Sequence, residues 1–195
     1  ASPLPVHRID AQDELVRRGA VVTEELHQIL KSMSLTEMQQ TWTLWALGRI
    51  GVDQPSLDVV FEQMLKHESQ SDVSGDFNRR LQAIRILAFR AREAKTPRSL
   101  PVGVLAALND MHSRIRFEAV QALIKTKQRQ HVPQLLEAIT KEQDLAVYYV
   151  AWKTLQALCT QEELRTLQGD SRDAVRRGAL LALLESHQLS ESEVR

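Results

Sequence analysis

Cysteine is almost missing from this chain: Cys159 stands alone among 195 residues. That count excludes an intrachain disulfide framework, a CxxC redox pair, a CxxCH haem attachment and a thiolate-rich zinc site. Charge of either sign in excess is missing too. Lys+Arg and Asp+Glu both number 25, so the net charge is zero. This argues against a dedicated nucleic-acid binder, whose affinity rests on neutralising phosphates. No apolar run is long enough to span a membrane, and Ala1-Ser2-Pro3-Leu4-Pro5 lacks the charged-then-apolar order of a leader. Gly75 and Gly169 stand alone, so no glycine-rich phosphate loop is in sight. Strand-like alternation is nearly absent as well. What remains is a chain that is 43% apolar and 26% charged. That is enough apolar material for a sizeable core, and too much for disorder.

The apolar residues recur at spacings of three and four. Leu35, Met38, Trp42 and Trp45 fall on one stripe, widened by Leu44 and Leu47. Leu81, Ile84, Leu87 and Ala88 form a second, and Leu145, Tyr148, Trp152, Leu155, Leu158 and Cys159 a third. Such stripes belong to amphipathic helices with one wide buried face. Start signals agree. Ser34-Leu35-Thr36-Glu37 and Thr160-Gln161-Glu162-Glu163 read as capping boxes. Pro55 and Pro133 stand where a first helical turn tolerates a missing N–H. The predicted helices cover 10–18, 22–33, 35–50, 55–67, 76–94, 98–109, 111–126, 131–142, 144–159, 161–168 and 171–186.

The chain also repeats itself. Arg116-Phe117-Glu118-Ala119-Val120-Gln121-Ala122-Leu123 is matched by Arg176-Arg177-Gly178-Ala179-Leu180-Leu181-Ala182-Leu183, and less fully by the segment from Arg80 to Leu87. The segments 40–47 and 151–158 keep the Ala-Leu pair. This alignment places Thr43, Ala83, Ala119, Thr154 and Ala179 at one small position. Asp110, Asp170 and Ser34, each six residues ahead of the motif, are expected N-caps. The unit is then a helical hairpin of roughly 35 residues, stacked in a row, whose core forms only between neighbours.

An Asp or Ser cap, then Arg, Ala and Ala-Leu, with a second amphipathic helix following, resembles the HEAT repeat, including its short bacterial form. The resemblance covers about residues 10–186. It implies an all-α fold, an α-α superhelix of about five helical hairpins. Residues 1–9 are expected to be an extended N-terminal segment. Residues 187–195 are expected to be a tail or the start of a truncated next helix, because Ser190-Glu191-Ser192-Glu193 reads as another capping box. The stretches 13–22 and 40–51 are similar to the HEAT segment of large exported planctomycete-type proteins. Those proteins also carry a sugar-dehydrogenase-like propeller and a c-type cytochrome module. That likeness implies an exported location; without it a cytoplasmic one is equally open.

Candidate chemistry is sparse. The six histidines are scattered, and only His67-Glu68 resembles the dipeptides with which some HEAT-like hydroxylases bind iron. Zinc needs three or four converging ligands, so no metal and no cofactor are expected. There is no Gly-x-Ser-x-Gly elbow, and Cys159 on an apolar stripe is expected to be buried and inert. The chain is therefore expected to be no enzyme. A chromophore lyase, since some are HEAT-like, would need a deep pocket of converging titratable groups.

The most suggestive charge feature is the run Arg79, Arg80, Arg85, Arg90, Arg92, Lys95 and Arg98, opposed only by Glu93. Two uses stand open. HEAT-like DNA glycosylases present a basic concave face, so the region 79–98 is an alternative nucleic-acid site. Otherwise Arg79, Arg85, Arg90, Arg92 and Arg98 form a docking patch for an anionic protein. Arg80, with Arg116 and Arg176, is expected to make a hydrogen bond or ion pair with an Asp of its own or the adjoining turn. Trp45, at the edge of its stripe, is read first as core and, if its indole is exposed, as a candidate hot spot. The leading expectation is a scaffold module, monomeric and without a membrane span. It would bind a protein partner or an adjacent domain on a concave face lined by residues 54–66, 98–109, 131–141 and 161–168.

Overall fold

The computed structural model describes residues 4–31, 35–66, 74–96 and 98–186. Among these residues every regular element is helical: eleven α-helices, several preceded or followed by a 3-10 turn. They fall into two compact units, Ala1–Gly103 and Val104–Arg195. The fold class is all-α, a helical solenoid of the expected kind.

The first unit holds α1 (Pro5–Arg18), α2 (Thr23–Lys31), α3 (Glu37–Arg49), α4 (Asp58–Leu65) and α5 (Ser74–Glu93). An extended segment was expected over residues 1–9; residues 1–3 of it lie outside the described residues, and helix α1 takes in residues 5–9. Pro5 sits in its first turn, where its fixed φ is pre-set for a helix. Gly19 closes it at φ 67°, a conformation glycine takes without strain. Helix α3 begins two residues later than its expected box. Thr36 accepts the N–H of Gln39, and the Gln39 side chain returns to the Thr36 N–H at 2.9 Å. Ser34 lies outside the described residues. Helix α5 begins at Ser74, two residues ahead of the expected 76–94; residues 67–73 lie outside the described residues.

Helices α1, α3 and α5 form a row, with α2 packed on α3 and α4 on α5. Leu44, Ile50, Phe61, Ile84, Ile86 and Leu87 fill the core between them. Each contributes about 1.5–3 kcal/mol by leaving water. The α3–α5 approach is close because residue 48 is glycine. A Cβ there would lie 2.5 Å from the Ile86 Cγ2.

The second unit holds α7 (Ser113–Thr126), α8 (Val132–Lys141), α9 (Leu145–Leu158), α10 (Gln161–Leu167) and α11 (Asp173–Glu185); short α6 (Val102–Ala106) spans the division. Helices α7, α9 and α11 form its row. Helix α8 packs on α9 and α11, and α10 packs on α11. Helices α9 and α11 are thus each paired with the short helix that precedes it, α8 and α10.

The repeat is clear once the N-caps are aligned at His112, Asp144 and Arg172. Four positions then carry equivalent buried residues: Ile115, Val147 and Val175; Ala119, Ala151 and Ala179; Ala122, Thr154 and Ala182; Leu123, Leu155 and Leu183. Their offsets place all four on one helical face. Ala151, not Thr154, therefore matches Ala119 and Ala179. Thr154 occupies a position that holds alanine in α7 and α11, and its hydroxyl donates to the Val150 carbonyl at 2.8 Å. Burying that hydroxyl costs little because it is bonded.

The expected caps Asp110 and Asp170 stand two residues ahead of the true N-caps. Each carboxylate accepts the N-cap's own N–H, at 2.9 Å from His112 and 2.9 Å from Arg172. Before α9, Glu142 does the same for Asp144 at 2.8 Å. An acidic residue thus fixes the turn ahead of all three long helices.

Candidate functional site

The helical period of α5 scatters its arginines. Ala83, Ile86 and Leu87 define its buried stripe, and Arg90 continues that stripe one turn on. The Arg90 side chain is fully buried. Its five N–H donors are all engaged. Nε donates to Asp58 Oδ1 at 2.5 Å. Nη1 donates to the carbonyls of Gly48 at 3.0 Å and Ile50 at 2.9 Å. Nη2 donates to those of Gly51 at 3.1 Å and Gln54 at 2.9 Å. These are the orphan carbonyls where α3 ends and the turn to α4 begins. A guanidinium is suited to the task, because its rigid fork presents five donors in one plane.

Arg98 completes the cluster from the segment after α5. It donates from Nη1 to Asp58 Oδ2 at 2.8 Å, and from Nη2 to the carbonyls of Val52 and Arg90. Asp58 thus sits between two guanidinium groups. Nearby, Asp53 Oδ1 accepts the Lys95 N–H at 2.9 Å, and that hydrogen bond holds the Asp53 carboxyl below its usual range.

The expected docking patch is therefore corrected at Arg90 and Arg98. Arg90 has no surface to offer, and Arg98, 17% exposed, is committed to the same corner. Arg79 donates to Gln40 Oε1 at 3.1 Å across the α3–α5 seam. Arg92 is exposed and paired with Glu93. Arg85 is half-buried. Three of the arginines in the run, Arg79, Arg90 and Arg98, bind the fold together.

Trp45 is likewise tied into the fold. It is half-buried, its indole N–H donates to Gln82 Oε1 at 3.0 Å, and its ring meets Phe89 edge-on at 5.8 Å. Gln82 passes the contact to Asn78, and Asn78 to Thr41, which laces α3 to α5. Trp152 is core. Trp42 instead lines an open recess of about 330 Å³ between α1 and α3, with Arg8 5.8 Å from its ring.

In the second unit the repeat arginines behave as expected. Arg116 donates to the Asp110 carbonyl at 2.8 Å, and Arg176 to the Asp170 carbonyl at 2.7 Å. Arg116 also grips Glu142 through two bonds of 2.7 Å. Burial raises the Glu142 pKa, but the bonds from Arg116 and the Asp144 N–H outweigh it and leave the carboxyl lowered. Asp170 falls to about 2, chiefly through its side-chain bonds with Arg172. Arg116 and Glu142 border an open recess of about 470 Å³. Both groups are spent on each other.

Burial pushes the Cys159 thiol up to about 11, and Glu163 adds to the effect. A thiol held neutral in this way is a poor nucleophile. Among the described residues no group of three metal-ligating side chains converges. His67 and Glu68 lie outside them. No described helix is long and apolar enough to cross a membrane.

Two features were missed in the sequence. One is the Arg90 clamp, whose signal was an arginine four residues beyond Ile86 on a buried stripe. The other is Tyr149, 54% exposed and edge-on to Trp152 at 5.1 Å, with Lys153 Nζ 5.4 Å from the Trp152 ring.

Residues 101–185, a little under half of the chain, match the family model for HEAT repeats. HEAT repeats commonly serve as protein-interaction scaffolds and are generally non-catalytic. No curated protein matches the chain. The narrower likeness to planctomycete-type exported proteins gains no support from these comparisons, and neither does the nucleic-acid alternative.

Proposed function

We propose that this chain is a non-enzymatic interaction module that holds a protein partner, or a neighbouring domain, on the faces of its short helices. The observation that carries this reading is the repeated seam of the second unit, in the region that matches HEAT repeats. A row of equivalent helices makes a stiff surface, and binding to it depends on shape and charge rather than on bond-making. The side chains best suited to chemistry or to phosphate are used within the fold. Arg90 and Arg98 hold backbone carbonyls, and Arg116 holds Glu142.

The short helices supply accessible polar side chains instead. On α8 these include Gln134 and Glu137, and on α10 Glu162 and Arg165. The test is a titration of the chain against candidate neighbouring domains, repeated with Gln134→Lys and Glu162→Lys. At least tenfold weaker binding with an unchanged unfolding midpoint supports the reading. Partner binding that ignores both substitutions contradicts it. Titration with duplex DNA is the second arm, where steeply salt-dependent binding would favour the nucleic-acid reading.

A further inference from the structure

Counted from the N-caps His112, Asp144 and Arg172, the first and fifth positions of α7, α9 and α11 lie on the side of each helix away from the buried seam. The first position holds Ser113, Leu145 and Asp173, and the fifth holds Phe117, Tyr149 and Arg177. A first helical turn suits polar or acidic side chains, because its unbonded N–H groups carry partial positive charge. Ser113 and Asp173 follow that preference. Leu145 departs from it and is 84% exposed, so neither the helix nor the core accounts for a leucine there. One turn on, the exposed Tyr149 ring meets Trp152 edge-on at 5.1 Å. Phe117, at the matching position on the adjoining helix α7, is half-buried.

The chain has three Trp, two Tyr and four Phe. Both tyrosines and one tryptophan fall within residues 148–152, so aromatic material is gathered on α9 rather than shared among the repeats. A lone exposed apolar side chain is ordinary. Here a leucine and a tyrosine stand four residues apart, where side chains on one helix face touch. Neither α8 nor α10 exposes a large apolar side chain. The short helices therefore offer polar contacts, and α9 offers an apolar one.

The charge left unspent around this patch is positive. Helices α7 and α11 both pack on α9, and from them the exposed Arg114 and Arg177 flank Leu145 and Tyr149. Arg177 stands 5.9 Å from the Tyr148 ring. The carboxylates nearby have other work. Glu118 is buried, 3.9 Å from Arg114. Asp144 accepts the N–H groups of Ala146 and Val147, and Asp173 is paired with Arg176. Lys153 is likewise neutralised by Glu185.

We propose that the outer face of α9 is a docking surface for an acidic segment of a partner protein. That segment sets a bulky apolar side chain on Leu145 and Tyr149 and turns its carboxylates to Arg114 and Arg177. Tyr, Trp and Arg are the residues that most often dominate binding at protein interfaces, and a guanidinium takes a carboxylate through paired hydrogen bonds. Nucleic acid fits less well, because an exposed leucine offers nothing to a phosphate and the chain has no net charge. This surface is separate from the faces of the short helices and stands whether or not they hold a partner.

The test titrates the chain with an end-blocked peptide of glutamates that carries one phenylalanine and one leucine four residues apart. Amide shifts are expected at residues 145–153, Arg114 and Arg177. The same peptide with lysine for each glutamate should bind at least tenfold more weakly. Leu145→Ser is the deciding variant. It installs the residue type that α7 carries at this position, so the unfolding midpoint is expected to hold while peptide binding weakens at least tenfold. Tyr149→Ser should weaken binding to the same degree. Absence of shifts at millimolar peptide, equal binding of the lysine peptide, shifts confined to α8 and α10, or binding indifferent to Leu145→Ser would each overturn the proposal. So would a midpoint lowered by Leu145→Ser, because the leucine would then serve the fold. Tighter binding of a single-stranded oligonucleotide at the same residues overturns it in favour of nucleic acid.

Discussion

The two units secure their helix ends by different means. In the second unit one device is used three times: an acidic residue two places ahead of the N-cap takes the N-cap's N–H, at Asp110, Glu142 and Asp170. In the first unit one buried guanidinium, Arg90, satisfies four carbonyls and a carboxylate at a single corner. Repetition spreads the work over many small terms, each near the net worth of a hydrogen bond. The clamp concentrates it in one side chain. The family match to HEAT repeats covers 101–185 and so follows the repeated device.

The contrast can be broken most forcefully at the clamp. Arg90→Met keeps the apolar stem but leaves Asp58 to Arg98 alone and strands the carbonyls of Gly48, Ile50, Gly51 and Gln54. Loss of one partner from a buried ion pair costs about 3–5 kcal/mol. Chemical denaturation is expected to show a loss of that size, with amide exchange fastest in α3 to α5. A loss under 1 kcal/mol would mean that water replaces the guanidinium freely.

A cavity in the repeated seam should cost somewhat less. Leu155→Ala empties a fully buried site, and about 2–5 kcal/mol is expected from the same denaturation measurement. Gly48→Ala tests the close approach in the first unit. Its Cβ meets the branch of Ile86, so about 1–3 kcal/mol of overpacking is expected, and Ile86→Val in the same chain should return part of it.

The smallest effect concerns pH. Asp170 has a folded-state pKa of about 2, held down by Arg172, against about 3.9 in an unfolded chain. A depressed carboxylate stabilises the fold fully above the unfolded value and loses that contribution as the pH falls through the folded one. The unfolding midpoint should therefore decline between about pH 4 and pH 2, and Asp170→Asn should flatten part of that decline. An acid limb identical in the two proteins would show that the turn does not depend on the charge.

Most of the fold was legible in the sequence, because helices announce themselves by period and cap. All eleven were placed, most within a few residues. The Thr160–Glu163 capping box forms as read. What failed was register in α9. The sequence alignment followed the Ala157-Leu158 pair, but Ala157 faces solvent, and the true partner of Ala122-Leu123 is Thr154-Leu155. A threonine whose hydroxyl bonds its own helix packs like a small residue, and identity matching does not see that.

The candidate site was less legible for a related reason. A run of arginines reads as a surface, whereas helical period sends every third or fourth one inward. Arg90 is the case in point: its place on the stripe of Ala83, Ile86 and Leu87 foretold burial more reliably than its charge foretold exposure.

The central claim is that α7, α9 and α11 are equivalent members of one repeated seam, with Ala119, Ala151 and Ala179 in matching surroundings. It is tested most directly by measuring the unfolding free energies of Ala119→Leu, Ala151→Leu and Ala179→Leu side by side. The account predicts a loss of about 1–3 kcal/mol in each, alike to within 1 kcal/mol. A neutral Ala151→Leu beside two destabilised partners would contradict it.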